Sequence, residues 1–265
     1  ATAPSQRRLF FTTGHWLLSL DASTGKPDRD FGENGRVDLR EGLGRDPQTI
    51  IINAPSPGIV FGDLIIMGSA VTETAGAAPG DIRSSDVPRG KLRWTFHTIP
   101  RPGEPGHASW PPHAWKTAGG ANAWAGMSLD EARGVVYVPT GSPAPDFDGS
   151  GRHGANLFGN SIIALDALTG ERRWHFQAVR HDIWDKDVSA PPVLTTITRD
   201  GQRIDVVAQV TKSGNTLLLD RVSGKPIFPF RLRRAPTTTI PGMKTWPYQP
   251  DVELPEPFGT QEYTL

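Results

Sequence analysis

Apolar residues in this chain come in short runs. "QTIIINAP", "GDLIIMGSA", "RGVVYVPTGS", "GNSIIALD" and "DVVAQVTKSGNTLLLD" are each rich in β-branched residues and bounded by Gly, Pro or polar residues. None of them recurs with the three-to-four spacing of an amphipathic helix, so the pattern predicts β-strands joined by turns. The strands are punctuated by a unit that repeats four times: "SLDASTGKPDRDF" (19–31), "SSDVPRGKLRWTF" (84–96), "ALDALTGERRWHF" (164–176) and "LLDRVSGKPIFPF" (218–230). In each, an Asp precedes a Gly by four residues, as in Asp21 and Gly25, Asp86 and Gly90, Asp166 and Gly170, Asp220 and Gly224. A β-prone run, a polar turn whose Gly can take positive φ, and a second β-prone run make a hairpin.

Successive repeat aspartates lie 65, 80 and 54 residues apart, so insertions of unequal length separate the hairpins. About four strands per repeat at these spacings predicts the blades of a β-propeller. A β-sandwich would need turn signals every 8 to 12 residues and has no use for the recurring Asp-x-x-x-Gly unit. The expected architecture is all-β: four-stranded antiparallel blades, about four of a larger ring, forming a single partial propeller over residues 1–265.

Composition adds exclusions. Lys plus Arg and Asp plus Glu both number 28, so no global positive field draws nucleic acid to the chain. No run of 18 apolar residues is present, and the opening "ATAPSQRRLF" lacks the apolar stretch of a signal peptide, so any export signal is expected to have been removed. There is no cysteine, which excludes thiolate chemistry, and Cys-x-x-Cys-His haem attachment with it. Eight tryptophans against three tyrosines is an unusual ratio for so polar a chain.

"ALDALTGERRW" resembles the tryptophan-docking repeat of the pyrroloquinoline quinone (PQQ) dehydrogenases, which are eight-bladed propellers; the second repeat keeps the Trp as Trp94, while the first and fourth lack it. "RHDIWDKDVSAPPVL" resembles the segment of membrane-type glucose dehydrogenases, and of their quinate and alcohol relatives, that carries the catalytic base. The resemblance implies Asp182 as that base, partly desolvated beside an aromatic. In "VTKSGNTLLLD", Lys212 falls at the position whose cation stabilises the reduced quinone. In "TAGGANAWAGMSLD", Trp124 falls at the aromatic on which the flat cofactor stacks, approached through Gly119 and Gly120. The family's Ca²⁺ or Mg²⁺ implies Glu73 of "GSAVTE" as a ligand. Asp182 and Ser142 would contribute too, Ser142 replacing the family's Asn in "TGSPAPD" and pointing toward the glucose-dehydrogenase branch.

Taken singly, each residue has a plainer reading: a solvated loop for Asp182, a hairpin lysine for Lys212, a core tryptophan for Trp124. Occurring together they imply oxidation of a sugar or alcohol by hydride transfer to PQQ, with electrons passing to a membrane quinone or a cytochrome. The implied setting is the periplasm, with membrane association through segments outside this chain. A non-enzymatic propeller scaffold is the alternative, distinguished by having no reason to keep that set of residues. A nicotinamide enzyme is disfavoured because "GLGRDP" lacks the third Gly and a strand-to-helix context. Open ends of a partial ring imply a second copy or a missing half-propeller as partner. The "RPGEPGHASWPPHAWKTAGG" stretch (101–120) is expected to shape the substrate mouth, His107 and His113 within it fitting no strong metal motif. The Pro-rich tail from residue 237 is expected to wrap over a neighbouring surface.

Overall fold

The computed structural model describes residues 7–259; the outermost residues of the stretch read as one domain, 1–6 and 260–265, lie outside the described residues. Four antiparallel sheets follow one another along the chain. The second consists of Ile59–Phe61, Leu64–Met67, Ile82–Asp86 and Leu92–Phe96, hydrogen-bonded in that order. The third repeats this with Ser128–Asp130, Val135–Pro139, Ser161–Asp166 and Arg172–Gln177. The first (Arg8–Thr13, Trp16–Asp21, Arg36–Asp38) and the fourth (Val193–Arg199, Gln202–Val210, Thr216–Asp220) have three strands.

This departs from the expectation of four strands in every blade, and the turn chemistry explains it for the fourth sheet. In the fourth repeat the residue after Gly-Lys is proline, and the return strand shrinks to the single bridge Leu219↔Pro226; in the first, Pro27 likewise makes only the bridge to Leu20, but Arg36–Asp38 takes up the outer position after a detour, and the strand lacking among the described residues is one beyond Arg8–Thr13. Proline has no N–H to give to a ladder, so pairing cannot propagate past it. Where Leu92 and Arg172 follow instead, a full outer strand forms.

The turn itself is built the same way four times. The backbone N–H groups of Gly25, Gly90, Gly170 and Gly224 donate to the carbonyls of Asp21, Asp86, Asp166 and Asp220 at 2.8 to 2.9 Å. Each Asp carboxylate accepts further N–H groups inside the loop, such as Leu168 and Thr169 on Asp166, and each Gly sits at φ of +68° to +74°. This local satisfaction of backbone donors is why Asp and Gly recur at that spacing.

Side chains alternate between two inter-sheet cores. Ile65 and Met67 pack toward the first sheet, whereas Ile66 joins Ile82, Trp94, Val136 and Val138 between the second and third. Tyr137 and Ile162 face the other way, meeting Val207 and Leu219 of the fourth sheet. The inner strands of the middle sheets are therefore buried on both faces and read as continuous apolar runs. The flanking strand Arg8–Thr13 alternates half-buried and exposed positions.

Adjacent sheets are locked by an aromatic on a glycine. Trp94 lies over Gly170 of the next repeat and donates Nε1–H to Ala167 O at 3.3 Å; Trp174 lies over Gly224 and donates to Arg221 O at 3.2 Å. A Cβ on either glycine would stand 2.5 Å from the indole. The first repeat, which has no Trp, uses Phe31 instead: the ring is fully buried against Gly90.

Because all pairs are antiparallel, the repeat turns emerge at one end of the sheets, and the long excursions (68–81, 97–127, 140–160, 178–192) and the short 211–215 turn emerge at the other. Every residue singled out for chemistry lies on that second set. Among the described residues, no helix is long and apolar enough to cross a membrane.

Candidate functional site

Segments far apart in sequence converge at this end on a cavity of about 320 Å³, the lower part of the range of small-molecule sites. Glu73, Gly120, Trp124, Ser142 and Lys212 are all on its wall, joined by Asn122, Asp146 and Asp187.

Asp187 is the hub. Its carboxylate accepts Trp124 Nε1–H at 2.9 Å and Lys212 Nζ at 3.2 Å on one oxygen, and the Ser142 backbone N–H at 2.6 Å on the other. Three excursions are thus tied together by one buried acid. Lys212 also reaches Asp185 Oδ1 at 2.8 Å. Burial works against the charge on Lys212, but the two carboxylates outweigh it and hold its pKa above the usual lysine value. Asp185 is itself raised, first by burial and then by the neighbouring Asp187 and Asp182, with Lys212 pulling the other way.

Asp182, expected as base and metal ligand, is not on the cavity wall. It is 2% exposed, and both oxygens are occupied. Oδ1 accepts Trp184 N–H at 3.0 Å; Oδ2 accepts Lys186 N–H at 2.6 Å, Ser142 Oγ–H at 2.5 Å and Asn160 Nδ2 at 2.8 Å. The two backbone groups it holds flank Asp185, which sits at φ 52°, a left-handed conformation open to Asp at some strain. Asp182 therefore shapes the turn that presents Asp185 to Lys212. With both oxygens taken up by that turn and neither on the cavity wall, its place differs from the one expected of a base.

The glycine pair divides as well. Gly120, at φ 74°, lines the cavity, and a Cβ there would lie 2.5 Å from Ala144 N and 2.6 Å from Ser142 O. Gly119 is away from the wall; its Cβ would strike Ala77 O, so its smallness serves packing between excursions. The 101–120 stretch forms two short 3₁₀ turns around a small core of Ile99, Trp110, Ala114 and Ala121, and its first eighteen residues contribute nothing to the cavity wall, contrary to the expected mouth. The Pro-rich tail does wrap over a neighbour: the Gln249 side chain pairs with both the N–H and the carbonyl of Arg180, at 2.8 and 2.6 Å.

Asp146, overlooked in the sequence although it ends the quoted "TGSPAPD", is 4% exposed. Its carboxylate has no hydrogen-bond partner among the described residues, and burial, with Glu73, Asp185, Asp187 and Asp182 nearby, pushes it from 3.8 up to about 7. Three wall acids, Glu73, Asp146 and Asp187, face one wall ammonium, Lys212. Among the described residues no three His, Cys, Asp or Glu side chains gather into a preformed metal cage. The surplus of uncompensated carboxylate, with the Asn122 amide and the Ser142 hydroxyl beside it, is nonetheless the oxygen donor chemistry that suits a hard divalent cation.

A pH-dependent penalty follows. With a folded pKa of about 7 against 3.8, the folded state binds more protons than the unfolded state between those values, so stability falls as pH rises through that window. Asp146→Asn is expected to remove this fall and to stabilise the cation-free protein at pH 8 by up to about 4 kcal/mol, with little change at pH 3.5. Denaturant unfolding of both proteins at the two pH values checks it; parallel pH profiles would show that the carboxylate is not strained.

Comparisons with known proteins agree with the propeller fold. A family model described as PQQ, glucose/ethanol/alcohol dehydrogenase, beta-propeller domain matches residues 1–264. Quinate/shikimate dehydrogenase (quinone) of Acinetobacter baylyi is 36% identical over 250 residues, covering 92% of this chain and 30% of that protein. Quinoprotein glucose dehydrogenase A of Acinetobacter calcoaceticus is 37% identical over 241 residues, covering 86% and 29%. The crystal structure of quinohemoprotein alcohol dehydrogenase from Comamonas testosteroni superposes with a TM-score of 0.72 at 27% identity, over 92% of this chain and 36% of that one. The chain thus spans about three-tenths of the length of the curated relatives it matches.

Proposed function

Because the chain belongs to the PQQ glucose/ethanol/alcohol dehydrogenase β-propeller family, we propose that it carries the cofactor-binding and proton-abstracting part of a quinoprotein dehydrogenase that oxidises a sugar or alcohol hydroxyl. The observation that supports this most is the convergence of Trp124, Lys212 and Asp187, from three separate excursions, on one cavity. PQQ, when bound, supplies the acceptor for the two electrons and the hydrogen leaving the carbinol carbon.

The chain's own residues do the rest. Trp124 offers an indole face whose N–H is fixed by Asp187, so the ring is held in one orientation for a planar ligand. Lys212 holds a permanent positive charge on the wall where negative charge develops on the acceptor. Asp185, which stands behind Lys212 of the cavity wall and which burial and the neighbouring acids hold above its usual value, accepts the substrate hydroxyl proton; Lys212 at 2.8 Å stabilises it as a carboxylate in the resting state. Glu73 and Asp146, with the Asn122 amide oxygen and Ser142 hydroxyl, would hold Ca²⁺ or Mg²⁺, which would neutralise the acidic wall and polarise the bound oxygens. Substrate, electron acceptor (a membrane quinone or a cytochrome) and a periplasmic setting all come to this chain through its relatives.

The test is a titration of the chain with PQQ in the presence of Ca²⁺ or Mg²⁺, following quenching of tryptophan fluorescence. Saturable quenching is expected, with the midpoint raised at least about tenfold by Trp124→Ala or Lys212→Met, the loss of one good stacking or charge contact. Quenching that is unchanged in both variants would place the cofactor elsewhere and end the reading.

A further inference from the structure

Among the described residues Arg152 is the one arginine or lysine that is fully buried, at 2% exposed. Its guanidinium forms no ion pair among them and donates only to neutral acceptors: Nη1 to Asn156 Oδ1 at 3.1 Å, Nη2 to Pro145 O at 2.9 Å and to Asp182 O at 2.6 Å. Burial pushes its pKa down to about 10, with Asp182, Asp146 and Asp148 pulling the other way. Neutral acceptors do not offset the cost of taking a guanidinium out of water, so stability is a poor account of this residue. What it holds is a better one. Pro145 stands next to Asp146 of the cavity wall, and Asp182 opens the turn that sets Asp185 against Lys212. One nitrogen thus joins the 140–160 and 178–192 excursions, and no other donor among the described residues reaches the Asp182 carbonyl. The guanidinium is latched in turn: Asn156, which accepts from Nη1, donates its own Nδ2 to Arg152 O at 2.6 Å.

We propose that Arg152 is a positioning residue of this site: by holding the carbonyl of Asp182, while Asp182 holds the Trp184 and Lys186 N–H groups, it keeps the 182–187 turn in the shape that brings Asp185 to Lys212. Arg152 is not on the wall of the cofactor cavity, so it acts through Asp185 and not on a ligand. Its effect on turnover rests on the reading of Asp185 as the base; its hold on the turn does not. Arg152 borders instead a separate cleft of about 300 Å³, lined by small residues such as Ala114, Ala144 and Gly151, through which a guanidinium ion from solution can reach the place of a truncated side chain.

The first experiment is hydrogen exchange on the chain without PQQ, followed at the Trp184 and Lys186 N–H groups. Arg152→Ala is expected to exchange at both at least about tenfold faster than wild type, with the inner strand Val135–Pro139 unchanged. Guanidinium chloride at tens of millimolar is expected to restore protection in that variant, and sodium chloride at the same concentration is not. Should Arg152→Ala fail to fold, Arg152→Lys takes its place: it keeps the buried charge, but its side chain is shorter and lacks the planar fork, so the Asp182 carbonyl is left unheld and the turn still opens faster. Wild-type protection at Trp184 and Lys186 in the folded variant, protection lost equally in Val135–Pro139, or equal rescue by sodium chloride overturns the proposal. The second arm is steady-state kinetics of the PQQ-loaded protein. Turnover in the same variant is expected to fall by about tenfold to a hundredfold and to recover with guanidinium, while affinity for PQQ stays within about threefold. Turnover that stays at the wild-type level while the turn opens also overturns the proposal. No PQQ-dependent turnover in the wild type, with exchange as expected, sinks the reading of the cofactor site and leaves the hold of Arg152 on the turn standing.

Discussion

Replacing Asp185 by Asn is expected to lower the turnover of the PQQ-loaded protein by about 10² to 10⁴-fold, the usual contribution of a positioned general base. Affinity for PQQ and thermal stability should stay close to wild type, because the side chain is on the surface of the loop and its one hydrogen bond is to Lys212. Asp182→Asn should behave differently. An amide there must turn an N–H₂ group toward donors that now meet a carboxylate, among them Trp184 N–H, Lys186 N–H and Asn160 Nδ2. Leaving buried donors unpaired costs about 1 to 3 kcal/mol each, so Asp182→Asn is expected to lower the melting temperature and, by loosening the turn, to weaken catalysis together with stability. Steady-state kinetics over pH and thermal melts on both variants make the comparison. The acid limb of the wild-type profile, set by Asp185 with its raised pKa, should vanish in the residual activity of Asp185→Asn. Turnover within threefold of wild type in Asp185→Asn, alongside a stable but inactive Asp182→Asn, would return the base to Asp182.

The largest effect on stability is expected at an inter-sheet lock. Trp174 is 6% exposed, lies over Gly224, contacts Tyr137 at 5.7 Å between ring centroids and donates to Arg221 O. Trp174→Ala should destabilise the protein by about 3 to 5 kcal/mol, a large share of the roughly 5 to 15 kcal/mol by which a domain is stable. Trp174→Phe should restore more than half of the loss, since a ring over the glycine remains and only the N–H···O contact goes. Trp184→Ala, at an exposed indole, should change stability by less than about 0.5 kcal/mol. Denaturant unfolding curves for the three variants check this. A small effect at Trp174 would mean that the sheets are held by their cores alone.

Much of this architecture could be read before any coordinates. The Asp-x-x-x-Gly spacing marks four turns, and the hydrogen bonds of Asp166 and its three counterparts show why: the motif is local, and local satisfaction of backbone groups is what sequence encodes most directly. The missing outer strand of the fourth sheet is written as Pro226 but is legible only once proline's lost donor is weighed against the repeat. Phe31 illustrates the opposite difficulty. Nothing in "DRDF" announces that a phenylalanine substitutes for tryptophan, because the glycine it covers, Gly90, is 59 residues away in the chain. The site divides along the same line. Residue types and resemblance pointed to Trp124, Lys212, Glu73, Ser142 and Gly120, all on one cavity. Which two of the three aspartates in "HDIWDKD" face Lys212 depends on the left-handed turn at Asp185 and on the donors from Ser142 and Asn160 that hold Asp182, and those are tertiary facts. Asp146 was missed because a lone carboxylate at a loop position looks solvated until neighbouring segments bury it.

The placement of turns at one end of the sheets and of long excursions at the other has a consequence for how this fold changes over time. Insertions, deletions and new side chains in 140–160 or 178–192 can alter what is recognised without disturbing a single glycine under an indole. Mutational tolerance should therefore be steeply polarised along the strand axis, with a library diversified at the excursion end yielding many folded members and the same library at the repeat turns yielding few.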